Sequence, residues 1–285
     1  MPTFDTPRPV TASVELTAGA LRVVATERPD TVVQVRPADG TERDVRAAEQ
    51  THVEFASGML TIRGPRQAGL GVFGRVGAVD VLVELPSGSD LEAALGVGPV
   101  RCTGALGACR LRSGAGDLQV EQATTLSLST GMGLLSADAV AGDARLTTGS
   151  GKLQVRSVAG SAVLKSGNGD IRIGHVGRDL QVSSANGDIA ADSAAGSITA
   201  NTATGDIRVG ELARGSTRLR SAAGRIEVGI RPGTAVRLDV HTQFGKVRNE
   251  LTVTDGPAES DEQAEVRART AFGDILIRRS STSPV

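Results

Sequence analysis

A degenerate repeat of about 18 residues dominates this chain from residue 95 to residue 277. Its best copy, Ser166–Ile173, reads Ser-Gly-Asn-Gly-Asp-Ile-Arg-Ile. The second glycine of the copies recurs at intervals of 18, 17, 18, 18, 18, 18, 19, 21 and 28 residues, at Gly98, Gly116, Gly133, Gly151, Gly169, Gly187, Gly205, Gly224, Gly245 and Gly273. A fixed short period is the signature of a solenoid, so the chain must fold as stacked, nearly identical coils.

Within one repeat, the spacing of the apolar residues predicts two short β-strands. Counted from Gly169, the positions +2, +4, +7, +11 and +13 hold Ile171, Ile173, Val176, Leu180 and Val182. Polar residues fill the intervening positions, which indicates strands with one buried face. Such short strands bury their apolar faces only when copies stack. We therefore predict an all-β fold, a parallel, β-helix-like solenoid of about 18 residues per coil.

A column of small hydroxyl residues precedes the repeated glycines. It comprises Ser113, Thr130, Thr148, Ser166, Ser184, Thr202, Ser221, Thr242 and Thr270. We interpret this column as structural, with each hydroxyl bonding local backbone amides at a strand-to-turn corner. The alternative is that stacked hydroxyls line a binding site.

The remaining sequence divides around this repeat. Residues 1–88 are predicted to be a β-rich N-terminal capping region, because solenoids need atypical terminal units. Strands are expected near Ala12–Leu16, Leu21–Ala25, Thr31–Arg36, His52–Ala56, Met59–Arg63 and Val79–Leu85, with one helical turn at Asp44–Gln50. Residues 89–278 are expected to form the coils, with an irregular acidic insert at 249–265, and residues 279–285 a flexible tail.

Charge and composition exclude several partner classes. The 31 basic and 32 acidic residues nearly balance, and the chain has no Trp or Tyr, so we expect no nucleic-acid binding. No signal peptide opens the sequence and no apolar run is long enough to span a bilayer, which favours a cytoplasmic protein. The only two cysteines, Cys102 and Cys109, fall at inward positions; we interpret them as buried hydrophobes, with a disulfide across the coil as the alternative.

The residues that could carry chemistry do not form a recognisable site. The segment Gly69–Gly74 has dinucleotide-binding spacing, but a strand follows it where the motif needs a helix. Aspartates that follow the repeated glycine, such as Asp170, Asp188 and Asp206, could bind calcium or form catalytic pairs. Other copies hold Lys or Arg at that position, and His52, His175 and His241 have no partner at motif spacing. We therefore expect no metal or cofactor and no enzymatic activity.

One outward feature favours a partner. Basic residues recur at +12 and +14 on a single predicted strand face: Arg110, Arg112, Arg145, Lys165, Arg218, Arg220, Arg267 and Arg269. This basic stripe could contact an acidic protein surface. The alternative is a solvent-exposed sheet face on which the charged arginines hinder aggregation.

The reiterated corner Ser/Thr-Gly-x-Gly-Asp-Ile-x-Val resembles a bacterial family of β-strand-repeat domains of unknown function, known as putative adhesins. The motif is best kept at Ser113–Val120, Thr148–Val155, Ser166–Ile173 and Thr202–Val209, after the capping segment Val81–Gly88. The resemblance covers nearly the whole chain. It implies a parallel β-solenoid with a β-rich N-terminal part and no catalytic residues.

Together these features predict a non-catalytic scaffold or protein-interaction module with an unidentified protein partner. Two alternatives come from other classes. The first is a structural element that self-assembles end to end as a homo-oligomer through its terminal coils. The second is carbohydrate binding or cleavage on a solenoid face, against which the scarcity of aromatic residues argues.

Overall fold

The computed structural model describes residues 2–65, 77–251 and 262–280. It is almost entirely β-structure, with parallel ladders of stacked coils and a β-rich N-terminal cap, so the predicted fold class is confirmed. The Gly69–Gly74 segment lies outside the described residues. The chain forms two compact units, Met1–Ala141 and Gly142–Val285.

The first unit contains eleven of the strands in the described residues and one helix. They are β1 (Thr3–Asp5), β2 (Thr11–Ala18), β3 (Leu21–Thr26), β4 (Asp30–Pro37), α1 (Glu42–Glu49), β5 (His52–Ala56), β6 (Met59–Arg63), β7 (Val79–Pro86), β8 (Asp90–Val97), β9 (Val100–Ala115), β10 (Leu118–Met132) and β11 (Leu135–Val140). The six strands expected before residue 88 are all present, each with bounds within two residues of the expectation.

Parallel coils begin earlier in this unit than the sequence indicated. Strand β2 lies between β6 and β8 in parallel, with Thr11 opposite Met59 on one side and Asp90 on the other. Strand β3 lies in the same way between β7 and β9. The antiparallel strands β1, β4 and β5 provide the cap. Residue 88 therefore does not separate the cap from the coils, because β2 and β3 already form a coil.

Helix α1 begins after Thr41, whose hydroxyl accepts a hydrogen bond of 3.3 Å from the Asp44 amide. The Asp44 carboxylate in turn accepts from the Ala78 amide at 2.7 Å, which ties the helix to the start of β7. The helix covers two turns where the sequence indicated one, because this cap and this tether fix its first turn. Among the described residues, no helix combines the length and the apolar character needed to cross a bilayer.

The two cysteines face the interior of the first unit as free thiols, on the two halves of β9. A hydrogen bond with Cys109, together with burial, raises the pKa of the Cys102 thiol well above its ordinary value. Because the thiolate is the reactive form, the Cys102 thiol behaves as a small buried hydrophobe at neutral pH.

The second unit stacks two parallel ladders whose strands alternate along the chain. The strands are β12 (Ala144–Ser150), β13 (Leu153–Val158), β14 (Ala162–Asn168), β15 (Ile171–Val176), β16 (Leu180–Asn186), β17 (Ile189–Ala194), β18 (Ile198–Thr204), β19 (Ile207–Leu212), β20 (Gly215–Ala223), β21 (Ile226–Ile230), β22 (Thr234–Phe244), β23 (Val247–Asn249), β24 (Glu262–Phe272) and β25 (Ile275–Arg279). Even-numbered strands from β12 to β20 pair in order, and so do odd-numbered strands from β13 to β21. The predicted inward residues, such as Leu164, Ile171 and Val182, are fully buried between them.

The last two coils do not stack in sequence order. Strand β24 pairs with β20 on one side and with β22 on the other, and β25 lies likewise between β21 and β23. The final copy of the repeat, β24 with β25, therefore lies between the coil of β20 and β21 and the coil of β22 and β23. The coil of β22 and β23 is left at the edge. Every copy presents the same hydrogen-bonding register, so either order satisfies the ladder.

Two expected boundaries differ as a result. Residues 262–265 belong to β24, where they pair with β22, so they are strand and not part of the acidic insert. Of the expected flexible tail, residues 279 and 280 lie within the described part of the chain, and residues 281–285 lie outside it. Arg279 ends β25, and the Ser280 hydroxyl lies 3.1 Å from the Glu211 carboxylate.

The repeated glycines form the corner between the two ladders. In the second unit, Gly187 has φ +136°, and a Cβ added there would lie 2.4 Å from the carbonyl oxygen of Gly169 in the neighbouring coil. Its amide donates at 2.9 Å to Thr204 in the coil on the other side. Only glycine combines this backbone conformation with so close a backbone approach.

Replacing Gly187 with alanine is expected to lower the free energy of unfolding by about 2 to 4 kcal/mol, because the methyl group meets backbone in a strained conformation. Chemical denaturation followed by circular dichroism measures this loss. Gly40→Ala is the matched control, because the space around Gly40 is open and its φ is ordinary. Equal stability of the two variants would contradict the conclusion that the corner at Gly187 requires glycine.

Candidate functional site

The structure gathers four of the predicted basic residues on adjacent strands of the second unit. Arg218 on β20 lies directly opposite Arg267 on β24, and Arg220 lies opposite Arg269. All four side chains are exposed on the outward face. Neighbouring strands are about 4.8 Å apart and alternate residues about 6.6 Å apart, so the four arginines form a compact rectangular array. We call this array the arginine quartet.

The quartet is only partly neutralised. Arg267 binds Glu265 through two nitrogens, at 2.9 and 3.1 Å, and Arg269 lies 3.5 Å from a carboxylate oxygen of Asp239. Within the described part of the chain, Arg218 and Arg220 form no ion pair. These exposed pairs are screened by water, so the array keeps a net positive field.

The other four predicted basic residues do not join this array. In the second unit, Arg145 shares a column with Val163, Gln181 and Thr199, so three uncharged residues separate it from Arg218. Lys165 is separated from Arg220 in the neighbouring column by Ser183 and Asn201. In the first unit, Arg110 and Arg112 are exposed on β9, and Arg110 lies 3.9 Å from Glu92.

The aspartates that follow the corner glycines have a structural role. The Asp188 carboxylate accepts a hydrogen bond of 2.8 Å from the Asp206 amide in the next coil, and Asp206 accepts from the Arg225 amide at 2.7 Å. Asp170 accepts from the Asp188 amide at 3.3 Å. We call these three residues the aspartate ladder. Each carboxylate binds a backbone N–H that the turn leaves unpaired within the strands.

A second set of aspartates binds backbone amides in the same way at the opposite corner, and it was not predicted from the sequence. In the second unit, Asp143 accepts from the Ser161 amide at 2.8 Å, and Asp179 accepts from the Ser197 amide at 2.8 Å. Asp90 holds the Ala108 amide similarly in the first unit. The signal was present, because each aspartate precedes the amide it binds by 18 residues, which is one coil.

A groove of about 330 Å³ runs beside the aspartate ladder on the second unit. Arg172 and Arg208 flank it, and the small Ala190 lies between them in register. The groove therefore has mixed charge. Because its aspartates are already committed to backbone amides, it does not offer a cluster of free carboxylates.

Several hydroxyls of the column bond backbone carbonyls and not the amides expected from the sequence. Among the described residues, the buried hydroxyls of Ser113, Ser166 and Ser184 have no hydrogen-bond partner. The Thr202 hydroxyl lies 3.3 Å from the Gly187 carbonyl oxygen and 3.2 Å from that of Thr204. Ser221 donates to the Gly205 carbonyl at 3.0 Å. A carbonyl has two lone pairs, so it can accept this bond in addition to its backbone partner. The bonds of Thr202 and Ser221 therefore join neighbouring coils.

One histidine contact also went unpredicted. The His175 Nδ1 and the Ser193 hydroxyl oxygen are 2.9 Å apart, on neighbouring strands one coil apart. On the next strand, opposite Ser193, Glu211 pairs with Arg231 at 2.7 Å. A catalytic triad places the histidine between nucleophile and carboxylate, whereas here the serine occupies the middle.

The chain matches a known family model over most of its length. That model, Toastrack DUF4097, aligns with residues 23–278. The chain belongs to the Toastrack DUF4097 family. This membership confirms the resemblance to the bacterial β-strand-repeat domains. No curated protein is significantly similar to the chain in sequence.

Several solved structures are similar to this chain. A putative adhesin from Bacteroides fragilis NCTC 9343 is 12% identical with a TM-score of 0.36, and 97% of this Toastrack chain aligns with 95% of that one. A putative lipid binding protein from Parabacteroides distasonis ATCC 8503 is 9% identical with a TM-score of 0.36 over the same shares of the chains. A cell adhesion protein, also termed putative, from Clostridium sporogenes ATCC 15579 is 11% identical with a TM-score of 0.26, and 96% of this chain aligns with 94% of that one.

The aspartate ladder predicts unequal effects for two substitutions of Asp188. Asp188→Ala is expected to lower the free energy of unfolding by about 1 kcal/mol, because the Asp206 amide loses its acceptor. Asp188→Asn keeps an acceptor oxygen and is expected to stay within about 0.5 kcal/mol of wild type. Thermal and urea denaturation of both variants check this. Equal losses would mean that the charge, and not the hydrogen bond, stabilises the corner.

Proposed function

We propose that this Toastrack chain is a non-catalytic interaction module that binds an acidic protein surface through the arginine quartet. The observation that carries the proposal is the register of β20 against β24, which sets four outward arginines side by side. Arginine guanidinium groups bind carboxylates with two parallel hydrogen bonds, so a rigid array of four can engage several acidic side chains at once.

The scaffold supports such a role because it holds the quartet rigidly. The inward neighbours of the four arginines, Leu219 and Ala268, are fully buried. Their packing fixes the backbone on which the arginines stand, so binding orders only the exposed side chains. Preorganisation of this kind lowers the entropic cost of association.

The charge distribution also favours this array over the rest of the predicted basic stripe. Arg145 and Lys165 have uncharged neighbours in their columns, so neither belongs to a cluster. Acidic partners are steered by the summed field of closely spaced charges. The quartet is therefore the proposed contact, and Arg145 with Lys165 provides a matched comparison on the same ladder.

The test measures binding to polyglutamate, a defined acidic probe, by fluorescence anisotropy at low and physiological salt. Arg218→Glu/Arg220→Glu is expected to weaken binding about tenfold or more, equivalent to about 1.4 kcal/mol, and to reduce its salt dependence. The matched control Arg145→Glu/Lys165→Glu makes the same change in net charge outside the quartet and is expected to cost much less.

Equal loss in the two double variants would contradict a defined site and indicate a nonspecific charge effect. Anionic lipid vesicles form the second arm. Vesicle binding that exceeds polyglutamate binding, and is lost in the quartet variant, would assign the array to a membrane surface and overturn the proposed partner class.

A further inference from the structure

The edge coil formed by β22 and β23 is the least covered part of the second unit. Within the described residues, no strand pairs with the far side of β22, an edge of eleven residues. The corresponding inward residues on the neighbouring β24, Ala264, Val266 and Ala268, are buried. On β22 the same column holds Val236, Leu238 and Val240, which are all only half-buried. The apolar core thus extends into the edge coil, where its side chains remain partly exposed to solvent.

Aromatic and aliphatic groups extend this uncovered surface. Phe244 ends β22 and stacks on Phe272 of β24, with ring centroids 5.0 Å apart and planes within 7°. The two rings remain 65% and 59% exposed. Val247 on β23 is 43% exposed. Exposed large apolar side chains beside an unpaired strand edge are typical of an association surface.

We propose that this edge binds a second copy of the same chain, through antiparallel pairing of β22 with β22. The charges on β22 favour a second copy of the chain as the partner of this edge. Arg237, Asp239 and His241 are exposed on its outward face, and Leu238 is central between the first two. Directly opposite residues of an antiparallel pair share a face and interact. When Leu238 lies opposite its own copy, Arg237 of each chain faces Asp239 of the other.

This register is self-complementary in both side-chain layers. The two Arg237–Asp239 pairs form outside, while Val236 faces Val240 and Leu238 faces Leu238 inside. Centring the pair on Arg237 or on Asp239 instead sets like charges opposite each other, which is unfavourable. Of the three registers centred on residues 237 to 239, the twofold axis at Leu238 alone sets opposite charges across the junction. An interface about a twofold axis closes on itself, so the result is a dimer and not a filament. This gives the end-to-end assembly considered from the sequence a defined and finite form. The edge adjoins the quartet, because Asp239 also lies 3.5 Å from a nitrogen of Arg269.

Charge exchange tests the register directly. Sedimentation velocity over a wide concentration range is expected to show a wild-type dimer. Arg237→Asp and Asp239→Arg each set like charges across the junction, and each is expected to weaken the dimer about tenfold or more. The double variant Arg237→Asp/Asp239→Arg restores opposite charges and is expected to dimerise again. Arg172→Asp, an exposed change on β15, is the control that leaves the dimer intact.

Mixing the two single variants gives the decisive arm. One chain then carries two acidic and the other two basic residues at these positions, so the mixture is expected to form heterodimers more tightly than either variant dimerises alone. Circular dichroism of each variant separates loss of folding from loss of association. A wild-type monomer at all concentrations, a dimer unaffected by the single variants, a mixture without heterodimers, or growth into filaments would each overturn the proposal.

Discussion

Successive coils of this protein approach each other so closely at one corner that the backbone of one coil occupies the space of a side chain on the next. At Gly205, an added Cβ would lie 2.2 Å from the Gly187 carbonyl oxygen. The contact fixes the height of each coil over its neighbour, and hydrogen bonds such as that from the Gly187 amide to Thr204 then align the strands. The inward columns and the outward arrays of charge follow from this alignment.

The same alignment explains which polar groups are available for binding. At the corners, the aspartate ladder bonds backbone amides of the adjacent coil, and hydroxyls such as that of Thr202 bond its carbonyls, so these residues stabilise the fold. On the sheet faces, outward side chains are not needed to bond the backbone of adjacent coils. The arginine quartet stands on a face, where its charges remain exposed to a partner, and its rigidity comes from the buried residues between the arginines.

Much of the fold could be predicted because the same pattern of apolar and polar residues recurs in every copy of the repeat. The alternation of Ile171, Ile173, Leu180 and Val182 with polar residues identified two strands per coil, and all four are buried as expected. The period also acts as a contact map, since residues 18 apart share a column. Used in this way, it would have revealed the His175–Ser193 contact and the amide bound by Asp179.

The order of the last coils could not be predicted from the same information. Each copy presents an equivalent register, so the period alone does not say whether β22 or β24 lies beside β20. Sequence order would place Asp239 next to Arg218, whereas the structure places Arg267 there. The quartet exists only because the last coil is inserted, so the candidate site depends on long-range topology that the local pattern does not carry.

Disulfide cross-linking tests this order most directly, because positions directly opposite on neighbouring strands lie within reach of an S–S bond and positions two strands apart do not. Cysteines are introduced at Arg218 and Arg267 in one variant, and at Arg218 and Asp239 in another. After mild oxidation, peptide mapping by mass spectrometry is expected to find the bond in the first variant and not in the second. A bond between positions 218 and 239, with none between 218 and 267, would contradict the inserted coil and remove the basis of the quartet.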